Sequence, residues 1–163
     1  MVRSQRIIVL GLGNLIRSDD GVGIHAIHEL FRDSRIPENV ELLDGGTLGL
    51  QLLPAIEDAT HVLAIDAINT GADPGTIVRF DISEIEPLPG TPSVHQIGFS
   101  DLLAALRLLE KFPEQMVLLG VQPEETGWGE KLSGVVQAAL PALIEVALDE
   151  LHKWIPQPAL AAR

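Results

Sequence analysis

RIIVLGLGNLIRSDDGVG, residues 6–23, runs from an unbroken apolar segment through two glycines into an acidic turn. Ile7 to Leu12 lack the alternation of a half-exposed strand, so they read as a strand buried on both faces. From Gly21 to Arg32 the apolar residues Val22, Ile24, Ala26, Ile27, Leu30 and Phe31 recur as the stripe of a helix. A strand, a tight turn and a helix form the first unit of a parallel α/β sheet.

The same alternation continues downstream. NVELLDGG, THVLAIDAI, GTIVRFDI and QMVLLGVQP read as further strands, GTIVRFDI with the polar alternation of an edge strand. Leu48–Glu57, Phe99–Lys111 and Ser133–Trp154 read as helices, the second capped near Ser100 and the third bent at Pro141. IEPLPGTPSV is a proline-rich loop. The expected fold is α/β, a mostly parallel twisted sheet of about five strands with helices on both faces. Residues 1–155 read as a single domain and 156–163 as a flexible C-terminal tail.

Composition removes several functions. The chain of 163 residues has no cysteine, which excludes disulfides, a thiolate nucleophile and Cys-ligated zinc or iron–sulfur sites. Any metal must be held by His, Asp, Glu or backbone oxygen. A formal charge of −12 argues against a nucleic-acid face or a polybasic membrane patch. No apolar run approaches the roughly 18 residues of a membrane span, and the N-terminus lacks a cleavage pattern, so the expected compartment is the cytoplasm.

The glycine loop does not fit a nucleotide. Gly11 and Gly13 match G-x-G-x-x-G, but Ile16 stands at the third glycine. Asp44 imitates the acidic ribose ligand, yet Asp19 and Asp20 put carboxylates where a phosphate would sit. Helix capping is one role for this pair; a cation seat is the other. In parallel sheets ligands bind beyond the carboxyl ends of the strands. Asp20 follows the first strand, Asp44 ends the second, Asp66 ends the third, and His95 lies in the loop after the fourth. All four are expected at one edge. Asp66, preceded by the apolar run Val62 to Ile65, should be buried and hence paired, hydrogen-bonded or metal-bound. Two carboxylates and an imidazole form a donor set suited to a divalent ion.

His25 and His28 have neither the order nor the spacing of H-E-x-x-H and read as helix-surface residues. His61 and His152 have no partner that the sequence names. G-x-S-x-G is absent. Trp128, between glycines in QPEETGWGE, is either a partner contact or a side chain folded back on the core.

VLGLGNLIRSDDGVG, LLDGGTLGLQLL, VLAIDAINTGADPGT, SVHQIGFSDLLAAL and VLLGVQP, in this order, resemble the hydrogenase maturation proteases. These endopeptidases trim the C-terminal extension of the [NiFe] hydrogenase large-subunit precursor. The resemblance implies a three-layer α/β/α sandwich and metal-binding, catalytic positions at Asp20, Asp66 and His95. It implies nickel, arriving with the substrate, or another divalent metal. Metal-assisted peptide hydrolysis is the expected reaction, the ion polarising the scissile carbonyl, activating water, or serving only to recognise nickel-loaded substrate. With no Ser, Cys or Thr nucleophile evident, water is the expected attacker. Asp44 is a candidate second-layer base or orienting group, or simply the turn-former before Gly45-Gly46. Asp19 is left to capping. Two rival readings are a nickel-sensing assembly module without proteolysis and a metal-dependent small-molecule hydrolase.

Overall fold

The computed structural model describes residues 4–82 and 94–155, the side chains of 94–97 excepted. Most of the proline-rich loop and the tail 156–163 fall outside the described residues. Five strands form one sheet: β1 (Ile7–Leu12), β2 (Val40–Gly46), β3 (His61–Ala67), β4 (Ile77–Asp81) and β5 (Gln115–Val121). Their spatial order is β2-β1-β3-β5-β4. All neighbouring pairs are parallel except β4 with β5.

Strand alternation divides the core into two layers. Ile7, Val9, Leu63, Ile65, Val117 and Leu119 point to one face, where α1 (Val22–Arg32) and α4 (Gly134–Trp154) cover them. Ile8, Leu10, Val62, Ala64, Met116 and Leu118 point to the other, under α2 (Leu53–Ile56) and α3 (Val94–Leu108). Burial on both faces explains the unbroken apolar runs of β1, β3 and β5. The result is the expected α/β/α sandwich. Among the described residues, no helix is long and apolar enough to cross a membrane.

The long last helix is continuous through Pro141, as expected. Two elements differ from expectation. Residues 49–56 form a 3-10 turn, Gly49–Leu52, followed by the single α-turn of α2. α3 begins at Val94 rather than near Ser100, so His95 occupies the first helical turn and not the loop. Gly98, a poor helix former, lies within the turn that the expected helix left out. Its place is a packing requirement: a Cβ on Gly98 would lie 3.1 Å from the Gly49 Cα. Two backbones therefore meet where α3 starts.

The edge strand is tied down by charge. Arg79 of β4 donates Nε and Nη2 to the two oxygens of Glu150 on α4, at 2.9 and 2.7 Å. Glu150 is only 2% exposed, and Lys153 adds a third donor at 3.1 Å. The Arg79 bonds, opposed by burial and aided by Lys153, hold the Glu150 carboxyl below its ordinary 4.5. A depressed carboxyl stabilises the fold above its unfolded pKa, and that stability is lost as pH falls through the folded value. Arg79→Ala leaves a buried carboxylate short of its main partner. Because Arg79 itself is partly exposed, the expected cost is about 1–3 kcal/mol rather than the full buried-pair value. Urea unfolding at neutral pH measures it. Loss of stability below pH about 4.5 should be shallower in the variant; an unchanged urea midpoint refutes the assignment.

Candidate functional site

In the order β2-β1-β3, the chain leaves β1 toward β2 on one side and returns to β3 on the other. The crevice beyond the carboxyl ends of β1 and β3 is thus the topological switch point, where parallel sheets bind ligands. Asp20 follows β1 and Asp66 lies near the end of β3, so both stand at this edge of the sheet.

Backbone contact places Asp20. Gly13 adopts φ +135°, open to glycine but not to most residues, and a Cβ there would meet the Asp20 carbonyl oxygen at 2.0 Å. Gly13 N–H also donates to the Gly46 carbonyl at 3.0 Å, joining the loop to the end of β2. The chain then passes through Ser18, at φ +51°, into a 3-10 turn over Ser18–Gly21 that packs against β3. Gly23 locks the start of α1 onto both strands: a Cβ would meet the carbonyl oxygens of Ile65 at 2.2 Å and Leu12 at 2.3 Å. Asp20 is 8% exposed, and its Oδ2 accepts from the Asn14 N–H at 3.2 Å.

Asp66 is 3% exposed, and its Oδ1 accepts the N–H of Ala67 at 2.8 Å. Alternation with Val62 and Ala64 turns it toward the α2–α3 face. The start of α3, with His95 in its first turn, comes to this same edge through the contact of Gly98 with Gly49, just beyond β2. The His95 side chain lies outside the described residues. Among the described residues no three His, Cys, Asp or Glu side chains group as metal ligands. The carboxylates of Asp20 and Asp66 are oxygen donors suited to a divalent ion, and the third donor of the expected set is His95.

Asp44 is not brought to Asp66. It occupies the register position opposite Gly11, where a Cβ on Gly11 would meet Ile27 of α1. Asp44 therefore faces α1, on the other side of the sheet, and its Oδ2 lies 3.6 Å from His28 Nε2. Its Oδ1 accepts the Gly46 N–H at 3.1 Å, which is the turn-forming role. Gly11 pairs with Asp44 on one side and Ile65 on the other, so Asp44 stands one register position short of Asp66, and side chains alternate faces with a period of two. Of the other histidines, His61 bonds Thr60 Oγ1 through Nδ1 and packs on Trp154 at 5.2 Å. His25 is half-buried rather than on the surface, with its Nε2 enclosed and its pKa lowered by burial.

Asp19 does not cap its own helix. It is fully buried, and its Oδ2 accepts from Glu124 N–H at 2.9 Å, Glu125 N–H at 3.0 Å and Ser133 Oγ at 2.7 Å. Its Oδ1 accepts the Ser133 N–H at 2.7 Å. Ser133 in turn caps α4 by accepting from Val136 N–H. Burial pushes the Asp19 carboxyl up, but the bonds from Glu125, Ser133 and Glu124 together outweigh it and leave the pKa lowered. Asp19 is thus the clamp between the acidic turn and the loop before α4. Nothing local in the sequence announces this, since the partners lie more than a hundred residues away.

A small cleft lined by Leu12, Gly46, Thr47, Gly49, Leu52 and Phe99 lies between the end of β1, the end of β2 and α3. Comparison with known proteins agrees with the fold. The family model described as hydrogenase maturation protease matches residues 24–150. A hydrogenase expression/formation protein, HupD, of Rhizobium leguminosarum bv. viciae is 36% identical over 152 residues, 91% of this chain and 75% of that one. The hydrogenase maturating endopeptidase HybD of E. coli superposes with a TM-score of 0.86 at 34% identity, covering 92% of this chain and 94% of that one. The [NiFe] hydrogenase maturation protease HybD of Thermococcus kodakarensis gives 0.74 at 28% identity, covering 90% and 99%. The chain belongs to the hydrogenase maturation protease family and is an endopeptidase.

Proposed function

We propose that this endopeptidase removes the C-terminal extension of a [NiFe] hydrogenase large-subunit precursor, in the cytoplasm, after nickel has entered that substrate. The observation that carries the reading is the pair of buried carboxylates, Asp20 and Asp66, at the β1–β3 switch point. Burying carboxylates away from water is costly unless a cation or donors offset it. Asp20, Asp66 and His95 are the residues that would hold a divalent ion, nickel of the substrate or another. Such an ion would polarise the scissile carbonyl or lower the pKa of the attacking water.

The chain's own residues do the rest. Leu12, Thr47, Leu52 and Phe99 line a shallow, mostly apolar cleft at the carboxyl end of β1, against which the extension would lie. Gly13, Gly23 and Gly49 bring backbones too close for any side chain, so the cleft and the carboxylates are held rigidly. Rigid placement is what a reaction of this kind requires, because small displacements cost large factors in rate.

The test is incubation with nickel-loaded precursor, read by product mass. Loss of the C-terminal extension is the expected result. An intact precursor, with folded enzyme and nickel present, sinks the proposal.

A further inference from the structure

Leu15, Ile16 and Trp128 are 37%, 50% and 78% exposed, which is unusual for three large apolar side chains on adjoining loops. They do not lie on slack chain. Gly129 N–H donates to the Ile16 carbonyl at 3.0 Å, and Ser18 N–H to the Gly129 carbonyl at 2.8 Å. Asp19 N–H reaches the Glu125 carbonyl at 2.9 Å, Arg17 Nε the Thr126 carbonyl at 2.8 Å, and Ser18 Oγ the Gly127 carbonyl at 3.0 Å. The Arg17 guanidinium sits 5.0 Å from the centre of the Trp128 ring. That stack supports one side of the indole and leaves its bulk to solvent. Residues 15–19 and 124–129 are therefore zipped into one ledge. Its inner end adjoins the site: a Cβ on Gly21, next to Asp20, would lie 3.0 Å from the Leu15 Cα.

We infer that this ledge is the docking surface for the body of the protein substrate. The inference rests on the proposed function and names where that substrate is held. An exposed tryptophan, pre-ordered by a half-buried arginine stacked on it, is of the residue types that dominate binding energy at interfaces. The occupant is a folded protein face carrying apolar side chains within a basic rim. Charge complementarity sets the rim: Glu124, Glu125 and Glu130 stand exposed around the ledge, and the whole chain carries −12. The ledge holds the substrate while the extension reaches past Leu15 to Asp20 and Asp66.

The test uses the full chain and nickel-loaded precursor. Trp128→Ala should raise KM about tenfold or more with kcat within about twofold, and Trp128→Phe should recover most of the loss. Leu108→Ala, at an 84% exposed position far along α3, is the control and should leave KM unchanged. Binding is measured separately in an Asp66→Asn background, where Trp128→Ala should weaken Kd by the same factor. Wild-type Kd should weaken as salt rises from about 0.05 to about 0.5 M. Equal Kd with and without Trp128, in a protein that binds the precursor, overturns the ledge alone. A wild type that neither binds nor cuts the precursor overturns the ledge and the proposed function together. A wild type that binds but does not cut overturns only the proposed function, and the Kd comparison still decides the ledge.

Discussion

Asp66→Asn is expected to lower cleavage of nickel-loaded precursor by a factor of about 10²–10⁴ while leaving thermal stability equal or higher. The two halves of this expectation come from one observation. Asp66 is 3% exposed at the carboxyl end of an otherwise apolar strand, in a layer shared with Val62 and Ala64. A charged carboxylate there costs desolvation energy that a neutral amide of the same shape avoids. Asparagine keeps an oxygen for the Ala67 N–H, so the local bond at 2.8 Å survives. It removes the negative charge, and with it the ability to hold a cation or accept a proton from water. Stability given up at one buried group and recovered on neutralising it is the mark of a functional site. Initial rates by mass spectrometry and a melting scan settle both. A variant that melts well below wild type shows Asp66 to be structural, and one that cuts at the wild-type rate removes it from the chemistry. Asp20→Asn should behave similarly in rate, because it is likewise a buried carboxylate after the carboxyl end of a central strand.

How far the site was legible follows from the kind of force that places each residue. Burial period and strand-end position are local properties of the sequence, so β1, β3, β5 and the switch-point location of Asp20 and Asp66 could be read directly. Register is not local. Asp44 also ends a strand, yet pairing opposite Gly11 turned it to the α1 face, away from Asp66. Contacts between distant segments left no trace at all. Gly98 lies inside α3, four residues after its start, where its backbone meets Gly49 too closely for any side chain. Gly11 and Gly13 were visible as turn glycines, but Gly23, whose missing side chain lets α1 lie on the carbonyls of Leu12 and Ile65, was not singled out. Asp19 is the extreme case. Its sequence neighbours suggest a helix cap, and all four of its side-chain bonds go elsewhere.

Asp19→Ala should cost about 3–5 kcal/mol, the effect of removing one charged centre that holds several buried donors. Alanine leaves the N–H groups of Glu124, Glu125 and Ser133 and the Ser133 hydroxyl without their common acceptor. At this chain length the melting point should fall by roughly 6–20 °C. Asp19→Asn should fall between: its amide oxygen can keep the three donors at the Oδ2 position, but its NH₂ then faces the Ser133 N–H. Sign gives a second check. The carboxyl is held below the ordinary 3.8, so its contribution is present above that pH and lost as pH falls through the folded value. Both variants should therefore lose less stability than wild type between neutral pH and about pH 3. Hydrogen exchange should accelerate first at the amides of 124–133, because opening there no longer breaks the clamp. The same variants should raise KM for the precursor, since Trp128 is carried on the released loop and Asp20 is the next residue along the chain. A melting point within about 2 °C of wild type in Asp19→Ala shows that the loop holds itself in place without the clamp. In that event the ledge would owe its order to the backbone bonds of residues 16–19 together with the Arg17 and Ser18 side-chain bonds, and only the Trp128 variants would disturb docking.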